Sequence, residues 1–100
     1  MDLKPHIEKF RQRFAEVEAA LSEHPSVAEV ACVEVKVRAD VSVIAAFIVA
    51  HAGAARDAGE IERFAAERLA AYKCPRSITF VDALPRTANG KLMRAALRLP

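Results

Sequence analysis

The sequence predicts a small α+β domain in which an antiparallel-rich three-stranded sheet carries helices packed on one face, in the order α-β-β-α-β-α. Three observations predict it. The chain has 100 residues, enough for one compact domain and too few for two. Hydrophobic types make up 53% of the residues and charged types 28%, a balance typical of globular proteins rather than disordered ones. Apolar positions recur at helical spacing in some segments and alternate with polar ones in others.

The first half of the chain predicts one helix and two strands. Residues 6–23 place apolar side chains three and four residues apart, as on one face of an amphipathic helix. This stripe consists of Ile7, Phe10, Phe14, Val17 and Leu21. Residues 31–38 alternate, which predicts a strand with Cys32 on a polar outer face. Residues 43–49 are continuously apolar and predict a second strand, buried on both faces and paired antiparallel with the first.

The second half predicts a helix, a strand and a short final helix. Asp57 and Glu60 have the spacing of a capping box, so the helix is expected to begin near Asp57 and to continue to Cys74-Pro75. Its expected buried stripe consists of Ile61, Phe64, Ala65, Leu69 and Tyr72. Residues 77–81 predict the third strand, and residues 91–99 predict the last helix.

Several classes of protein are excluded by what the sequence lacks. No apolar run approaches the roughly 20 residues that a membrane helix needs, and the first residues hold no hydrophobic secretory signal. Cys32 and Cys74 have the spacing of neither a metal site nor a disulfide framework, so each is interpreted as a small buried or half-buried thiol. A cytoplasmic location is therefore expected, with no metal on this chain. His6, His24 and His51 are scattered and are interpreted as surface or loop histidines. Composition and spacing alone therefore indicate no enzyme.

The net charge of +2 is unevenly distributed. Residues 1–72 carry a net charge of −3, whereas residues 73–100 carry +5. The basic C-terminal segment favours an anionic partner, of which phosphate is the simplest class, although a solvated basic surface explains the same pattern equally well. Nucleic-acid binding is disfavoured, because the third strand offers only Phe80 as an aromatic side chain for stacking on a base.

The most specific pattern lies in residues 84–94, Leu-Pro-Arg-Thr-Ala-Asn-Gly-Lys-Leu-Met-Arg. Pro85 stiffens a loop, Gly90 permits a tight corner, and Lys91 follows at the predicted start of a helix. A helix N-terminus prefers negative groups, so a lysine there indicates a cation presented outward to an anionic ligand. The stretch lacks the upstream glycine and the following Ser or Thr of a phosphate-binding loop.

Residues 69–76 and 80–94 together resemble the C-terminal domain of the adenylate-forming, AMP-binding enzymes. This superfamily includes acyl- and aryl-CoA synthetases, the adenylation domains of peptide synthetases, and luciferases. The string Pro-Arg-Thr, two further residues, Gly-Lys and a following arginine carries most of the resemblance. Residues 16–29 are similar to the family's first helix and its exit, so the likeness covers about residues 16–98.

The resemblance implies a two-step reaction in which ATP and a carboxylic acid form an acyl-adenylate and pyrophosphate, and a thiol such as CoA then accepts the acyl group. The family's mobile C-terminal domain serves a large N-terminal adenylating domain that binds ATP, Mg²⁺ and the acid. That domain would be supplied in trans or by a parent chain, and no cofactor and no activity are expected on this chain alone. Lys91 falls on the family's adenylation lysine, and Gly90 would let its loop reach the site.

The sequence departs from the family at two places. Residues 1–15 contain no glycine, and Arg13-Phe14 replaces the Ser-Pro that the family pattern has before Glu16. Residues 1–15 are therefore interpreted as a divergent N-terminal helical extension, and residues 16–100 as the domain of family type. Residues 34–42 replace a family pattern of Gly-Val-x-Asp followed by Gly-Glu. The resemblance thus does not extend to the hinge or to the loop that lines the thioester-forming site.

Two hypotheses follow. The first is a C-terminal domain of an AMP-forming carboxylic acid–thiol ligase, which supplies Lys91 to a separate large domain. The second is a stand-alone, non-catalytic binding or regulatory module that kept the fold, with a homodimer formed through Ile7, Phe10 and Phe14. The motif around Lys91 favours the first, and the altered hinge and thiol-site loop favour the second.

Overall fold

The computed structural model describes the backbone of residues 4–39 and 41–98, and the side chains of residues 12–39 and 41–98. Its elements follow in the order α1 (Lys4–Ser22), β1 (Val27–Arg38), β2 (Val41–Ala50), α2 (Ala58–Arg68) and β3 (Ser77–Phe80). Two 3₁₀ turns are formed at Ala71–Lys73 and Arg94–Ala96. The predicted α+β class is confirmed. No helix in these described ranges is long and apolar enough to span a bilayer.

The three strands form a mixed sheet in the order β1-β2-β3. β1 and β2 pair antiparallel, as predicted, with Cys32 opposite Ala46 near the middle of the pair. β2 and β3 pair in parallel, with Phe47 opposite Thr79. Parallel neighbours need a crossover connection, and α2 lies in that connection. The longer β1–β2 pair makes the sheet predominantly antiparallel.

The two helices cover one face of the sheet, where the main core lies. Its buried members come from both helices and the first two strands: Val17, Leu21, Val27, Cys32, Ile44, Ala46, Ile48, Ile61 and Ala65. Phe14 packs against this cluster, whereas the side chains of Ile7 and Phe10 lie outside the described residues. Cys32 is buried and Cys74 is half-buried, as expected of small thiols. The prediction of a polar outer face at Cys32 is wrong, because α1 and α2 cover that face.

The opposite face of the sheet is covered by the chain that follows β3. A second buried cluster consists of Ala31, Val33, Ala45, Phe47 and Leu84. Leu92 and Leu97 pack against it from the C-terminal segment. β2 is therefore buried on both faces at its centre, which confirms the prediction from its continuous apolar run.

The predicted helix over residues 91–99 is wrong. The described part of this segment forms a single 3₁₀ turn, Arg94–Ala96, and Leu92 forms a β-bridge with Arg86. Leu92 and Leu97 reach the sheet from this largely extended chain, so tertiary packing overrides the helical spacing of the apolar residues.

α2 begins where predicted and ends earlier. Asp57 is its N-cap, and the Asp57 Oδ1 atom accepts a hydrogen bond from the Glu60 N–H at 3.2 Å. The chain leaves the helical conformation at Leu69, with φ −122° and ψ 148°, so the helix does not reach Cys74-Pro75. Tyr72 is consequently 70% exposed, and its predicted place in the buried stripe is wrong.

His24 lies in the loop between α1 and β1, as one of the two predicted alternatives has it, but its side chain is buried rather than at the surface. Its Nδ1 atom accepts from the Ser26 N–H at 3.0 Å, so Nε2 carries the proton and donates to the Glu60 Oε1 atom at 3.1 Å. The Glu60 carboxylate thus binds His24 instead of completing the predicted capping box. The hydrogen bond between His24 and Glu60 joins the C-terminal end of α1 to the first turn of α2. His51 is exposed, as predicted, and the His6 side chain lies outside the described residues.

Candidate functional site

The chain after β3 turns back on itself as a short β-hairpin, residues 85–93, termed here the lysine hairpin. Arg86 and Leu92 form an antiparallel bridge between its two arms. The Met93 N–H donates to the Pro85 carbonyl oxygen at 2.9 Å and closes the base. Leu92 also packs on the sheet, so the base of the lysine hairpin is fixed to the rest of the domain.

The tip of the lysine hairpin is a tight turn that ends at Gly90. The Gly90 N–H donates to the Thr87 carbonyl oxygen at 2.9 Å, and the Thr87 N–H donates to the Lys91 carbonyl oxygen at 2.8 Å. Gly90 has a φ of +84°, in the left-handed region that residues with a Cβ disfavour. This geometry is typical of a hairpin turn closed by a glycine bulge. Lys91 therefore follows a hairpin turn, and its predicted position at a helix start is wrong.

The Lys91 side chain is exposed, and its ammonium group has no ion-pair or hydrogen-bond partner among the described residues. Three other basic side chains of the C-terminal segment are paired with carboxylates. Lys73, Arg86 and Arg94 form ion pairs of 2.6 to 2.7 Å with glutamates of the N-terminal half. These pairs neutralise half of the basic residues that would attract a nucleic acid, and they leave the Lys91 charge directed to solvent.

Arg86 connects the tip of the lysine hairpin to the sheet. Its Nη1 atom donates to the Gly90 carbonyl oxygen at 3.0 Å, and its Nη2 atom donates to the Glu29 Oε1 atom of β1 at 2.7 Å. Sequence reasoning missed this contact. Fifty-seven residues separate Arg86 from Glu29, and no local pattern links two residues so far apart.

Arg94 fixes the exit of the lysine hairpin to α1 and to the open edge of β1. Its Nη1 atom donates to the Glu18 Oε2 atom and to the Cys32 carbonyl oxygen, both at 2.7 Å. The same Glu18 oxygen accepts from the Cys32 N–H at 2.8 Å. Edge strands carry backbone groups without a strand partner, and here Glu18 and Arg94 satisfy both groups of Cys32.

The buried thiol of Cys32 is not a nucleophile. Burial raises the pKa of Cys32 to about 12, and the negative charge of Glu18 acts in the same direction. A thiol with this pKa is protonated at neutral pH, and the protonated form is unreactive. Within residues 12–39 and 41–98, no three His, Cys, Asp or Glu side chains are grouped so as to hold a metal ion.

The chain matches the model of the AMP-binding enzyme C-terminal domain over residues 16–91. It is 44% identical over 86 residues to the p-hydroxybenzoic acid–AMP ligase FadD22 of Mycobacterium tuberculosis, covering 83% of this chain and 12% of that one. It is 46% identical over 83 residues to the 2-succinylbenzoate–CoA ligase of Bacillus licheniformis, covering 83% and 17%. A solved benzoate CoA ligase from Burkholderia xenovorans matches with a TM-score of 0.77 and 40% identity, covering 86% and 18%.

This chain belongs to the AMP-binding enzyme C-terminal domain family, as the motif around Lys91 predicts. Its fold and sequence are those of the C-terminal domain of AMP-forming acyl- and aryl-CoA ligases. The chain spans less than a fifth of the length of these relatives. The division into an extension, 1–15, and a domain, 16–100, stays a prediction, and its boundary lies inside α1.

Proposed function

We propose that this chain acts as the mobile C-terminal domain of an AMP-forming carboxylic acid–thiol ligase and supplies Lys91 to a large N-terminal adenylating domain. The observation that carries the proposal is the position of Lys91. Its ammonium group is exposed beside a tight, hydrogen-bonded turn, and no described carboxylate neutralises it. Such a cation is available to an anionic substrate that is bound on another domain.

In the proposed reaction, a carboxylate oxygen of the acid attacks the α-phosphorus of ATP. A new oxygen–phosphorus bond forms, the bond from the α-phosphorus to the oxygen that bridges to the β-phosphate breaks, and pyrophosphate leaves with the electron pair. Two anions approach each other in this step. The Lys91 ammonium would contact the attacking carboxylate and the α-phosphate together and stabilise the transition state. A lysine suits this role, because it is a compact cation on a flexible four-carbon stem.

The proposed partners are a large N-terminal adenylating domain, in trans or in a parent chain, and a carboxylic acid. ATP and Mg²⁺ would be bound by the large domain, and CoA or another thiol would accept the acyl group. The three proteins named above are one AMP ligase and two CoA ligases. The motif around Lys91 concerns adenylation, which is therefore the better-supported half of the proposed reaction. The departures from the family pattern in residues 34–42 concern the thioester-forming half. A cytoplasmic location is part of the same proposal.

A non-catalytic binding or regulatory module is the second candidate function. The glycine-free residues 1–15 and the altered residues 34–42 favour it, because they replace the family's hinge and thiol-site patterns. A homodimer through Ile7, Phe10 and Phe14 is less favoured, since Phe14 packs against the chain's own core. The apolar stripe is thus partly used inside the domain.

The proposal is tested by first finding the large domain and then measuring adenylation. A tagged copy of the chain is purified from its source cells, and the bound proteins are identified by mass spectrometry. Recovery of an adenylating domain supports the proposal, whereas recovery of the chain alone favours the second candidate.

The assembled pair is then assayed for ATP–pyrophosphate exchange with a panel of carboxylic acids. Lys91→Ala should lower the exchange rate roughly 10²- to 10³-fold, as expected when one charge-stabilising donor is removed. Lys36→Ala is the matched control, because Lys36 is also exposed and without a partner among the described residues. Exchange at the wild-type rate in Lys91→Ala would refute the proposal.

A further inference from the structure

We infer that Arg86 is a positioning residue for Lys91, which it holds in place through the backbone of the lysine hairpin with Glu29 as its anchor on β1. The inference rests on the proposed function, because it gives Arg86 a part in delivering the Lys91 ammonium group to the reaction. Arg86 itself contacts no reacting atom in this account. It acts on the peptide group that precedes Lys91.

That peptide group is held at both of its ends. The Gly90 carbonyl oxygen accepts from the Arg86 Nη1 atom at 3.0 Å. The Lys91 N–H of the same peptide group donates to the Thr87 Oγ1 atom at 3.1 Å. Since a peptide group is planar, two bonds on opposite edges fix its orientation and thereby the direction in which the Lys91 side chain leaves the backbone.

The guanidinium of Arg86 transmits this constraint to the sheet. While Nη1 bonds the turn, Nη2 bonds the Glu29 Oε1 atom at 2.7 Å, and Glu29 belongs to β1. An arginine can make both contacts at once because its donors form a rigid planar fork, whereas a lysine ammonium is a single point charge. Arg86 is therefore a bridge between a rigid strand and the turn.

Hydrophobic packing does not hold this turn. Residues 86–91 are all exposed, and the apolar contacts of the segment lie at its base, where Leu84 and Leu92 pack on the sheet. Arg86 and Glu29 are each 43% exposed, so their ion pair contributes little to the stability of the fold. The effect of the ion pair is local, because it keeps the backbone of the turn in one conformation.

Loss of the bridge should impair catalysis while leaving the chemical groups of the site in place. Arg86→Gln keeps the Lys91 charge and does not alter a nucleotide site on another domain. Displacement of a reacting group by about 1 Å from a mutation elsewhere can cost on the order of 10²-fold in rate. The kcat of exchange should therefore fall, and the KM for ATP should stay at its wild-type value.

The first test measures backbone order in the 100-residue chain by ¹⁵N relaxation. In Arg86→Gln and in Glu29→Gln, the order parameters of the Gly90 and Lys91 amides should fall from about 0.85 to below about 0.6. Arg56→Gln is the matched control, because the Arg56–Asp82 pair is also exposed, has the same 2.7 Å length and involves no residue of the lysine hairpin. Unchanged order at Gly90 and Lys91 in both variants would overturn the inference.

The second test measures exchange in the assembled pair. Arg86→Gln and Glu29→Gln should each lower kcat roughly 10- to 100-fold with no change in the KM for ATP. The kcat of Arg86→Lys should lie between those of Arg86→Gln and the wild type, because a lysine can keep one of the two contacts. Full exchange in Lys91→Ala would mean that the proposed function is wrong. Loss of exchange in Lys91→Ala, together with wild-type kcat in Arg86→Gln, would mean that this inference alone is wrong.

Discussion

The two faces of the sheet are covered in different ways. On one face α1 and α2 pack aliphatic side chains against the strands, and Leu21, Ile48 and Ile61 are at most 1% exposed. On the other face an irregular segment is held by Leu84 and its apolar neighbours at the base, and by the hydrogen bonds of two guanidinium groups further out.

The two coverings have different roles: apolar burial stabilises the fold, and hydrogen bonds position a single group. Burial of apolar surface is strong but has no direction, so the helix face stabilises the fold without aiming any one group. Hydrogen bonds have narrow distance and angle requirements, so a few of them can orient one peptide group on an exposed turn. The exposed Lys91 cation lies on the face where directional contacts are added to the packing.

The largest expected loss of stability comes from the helix face. Ile48→Ala should lower the free energy of unfolding by about 2–5 kcal/mol, because it removes buried methyl groups and leaves a cavity between β2 and the helices. Urea denaturation measures the loss. Ile48→Val is the control and should cost only about 0.5–1.5 kcal/mol. A loss in Ile48→Ala no larger than that of a surface variant would contradict this account of the core.

The next largest effect is expected at the edge of β1. Glu18→Ala should lower the free energy of unfolding by about 1–3 kcal/mol, because it leaves the Cys32 N–H without an acceptor and the Arg94 guanidinium with only the Cys32 carbonyl oxygen. Arg94→Ala and the double variant complete a thermodynamic cycle. Additive losses would show that the two side chains are not coupled, against the shared Glu18 oxygen seen here.

A smaller effect on stability, with a distinct effect on activity, is expected at two glycines. Gly53 and Gly90 have φ values of +80° and +84°, and a Cβ at either position would meet nothing within 4 Å. Gly53→Ala and Gly90→Ala should therefore each cost about 1–2 kcal/mol of unfolding free energy, from backbone strain alone. Thermal unfolding compares the two variants.

Only Gly90→Ala should lower pyrophosphate exchange in the assembled pair, because only Gly90 adjoins Lys91. Equal exchange rates in the two glycine variants would contradict the special role of the turn.

The smallest effect is expected at an exposed ion pair. Arg56→Ala removes a 2.7 Å contact to Asp82, which is 93% exposed. Solvent screens such a pair, so the free energy of unfolding should change by no more than about 1 kcal/mol. A loss of unfolding free energy as large as that of Glu18→Ala would show that exposed ion pairs contribute as much to stability as the half-buried contacts of Glu18.

The same contrast explains how much could be predicted from the sequence. The helix face follows from local signals: the spacing of Val17 and Leu21 predicts the buried side of α1, and Asp57 marks the start of α2. The alternation around Cys32 predicts a strand but not which covering layer it meets, because that depends on elements distant in the chain.

The C-terminal segment was predicted correctly in its motif and incorrectly in its shape. Apolar spacing in residues 91–99 predicts a helix, yet the uncovered face of the sheet takes up Leu92 and Leu97 from a largely extended chain. The roles proposed for Lys91 and Gly90 rest on the family resemblance. The Arg86–Glu29 bridge joins residues too far apart for any sequence pattern to reveal.

The Lys91 side chain is proposed to serve the chemistry and to contribute nothing to the stability of the fold. The most direct measurement compares Lys91→Ala with the wild type in one set of samples, for both urea denaturation and ATP–pyrophosphate exchange with the large adenylating domain. We expect an unchanged free energy of unfolding and an exchange rate lower by roughly 10²- to 10³-fold. Wild-type exchange in Lys91→Ala would contradict it.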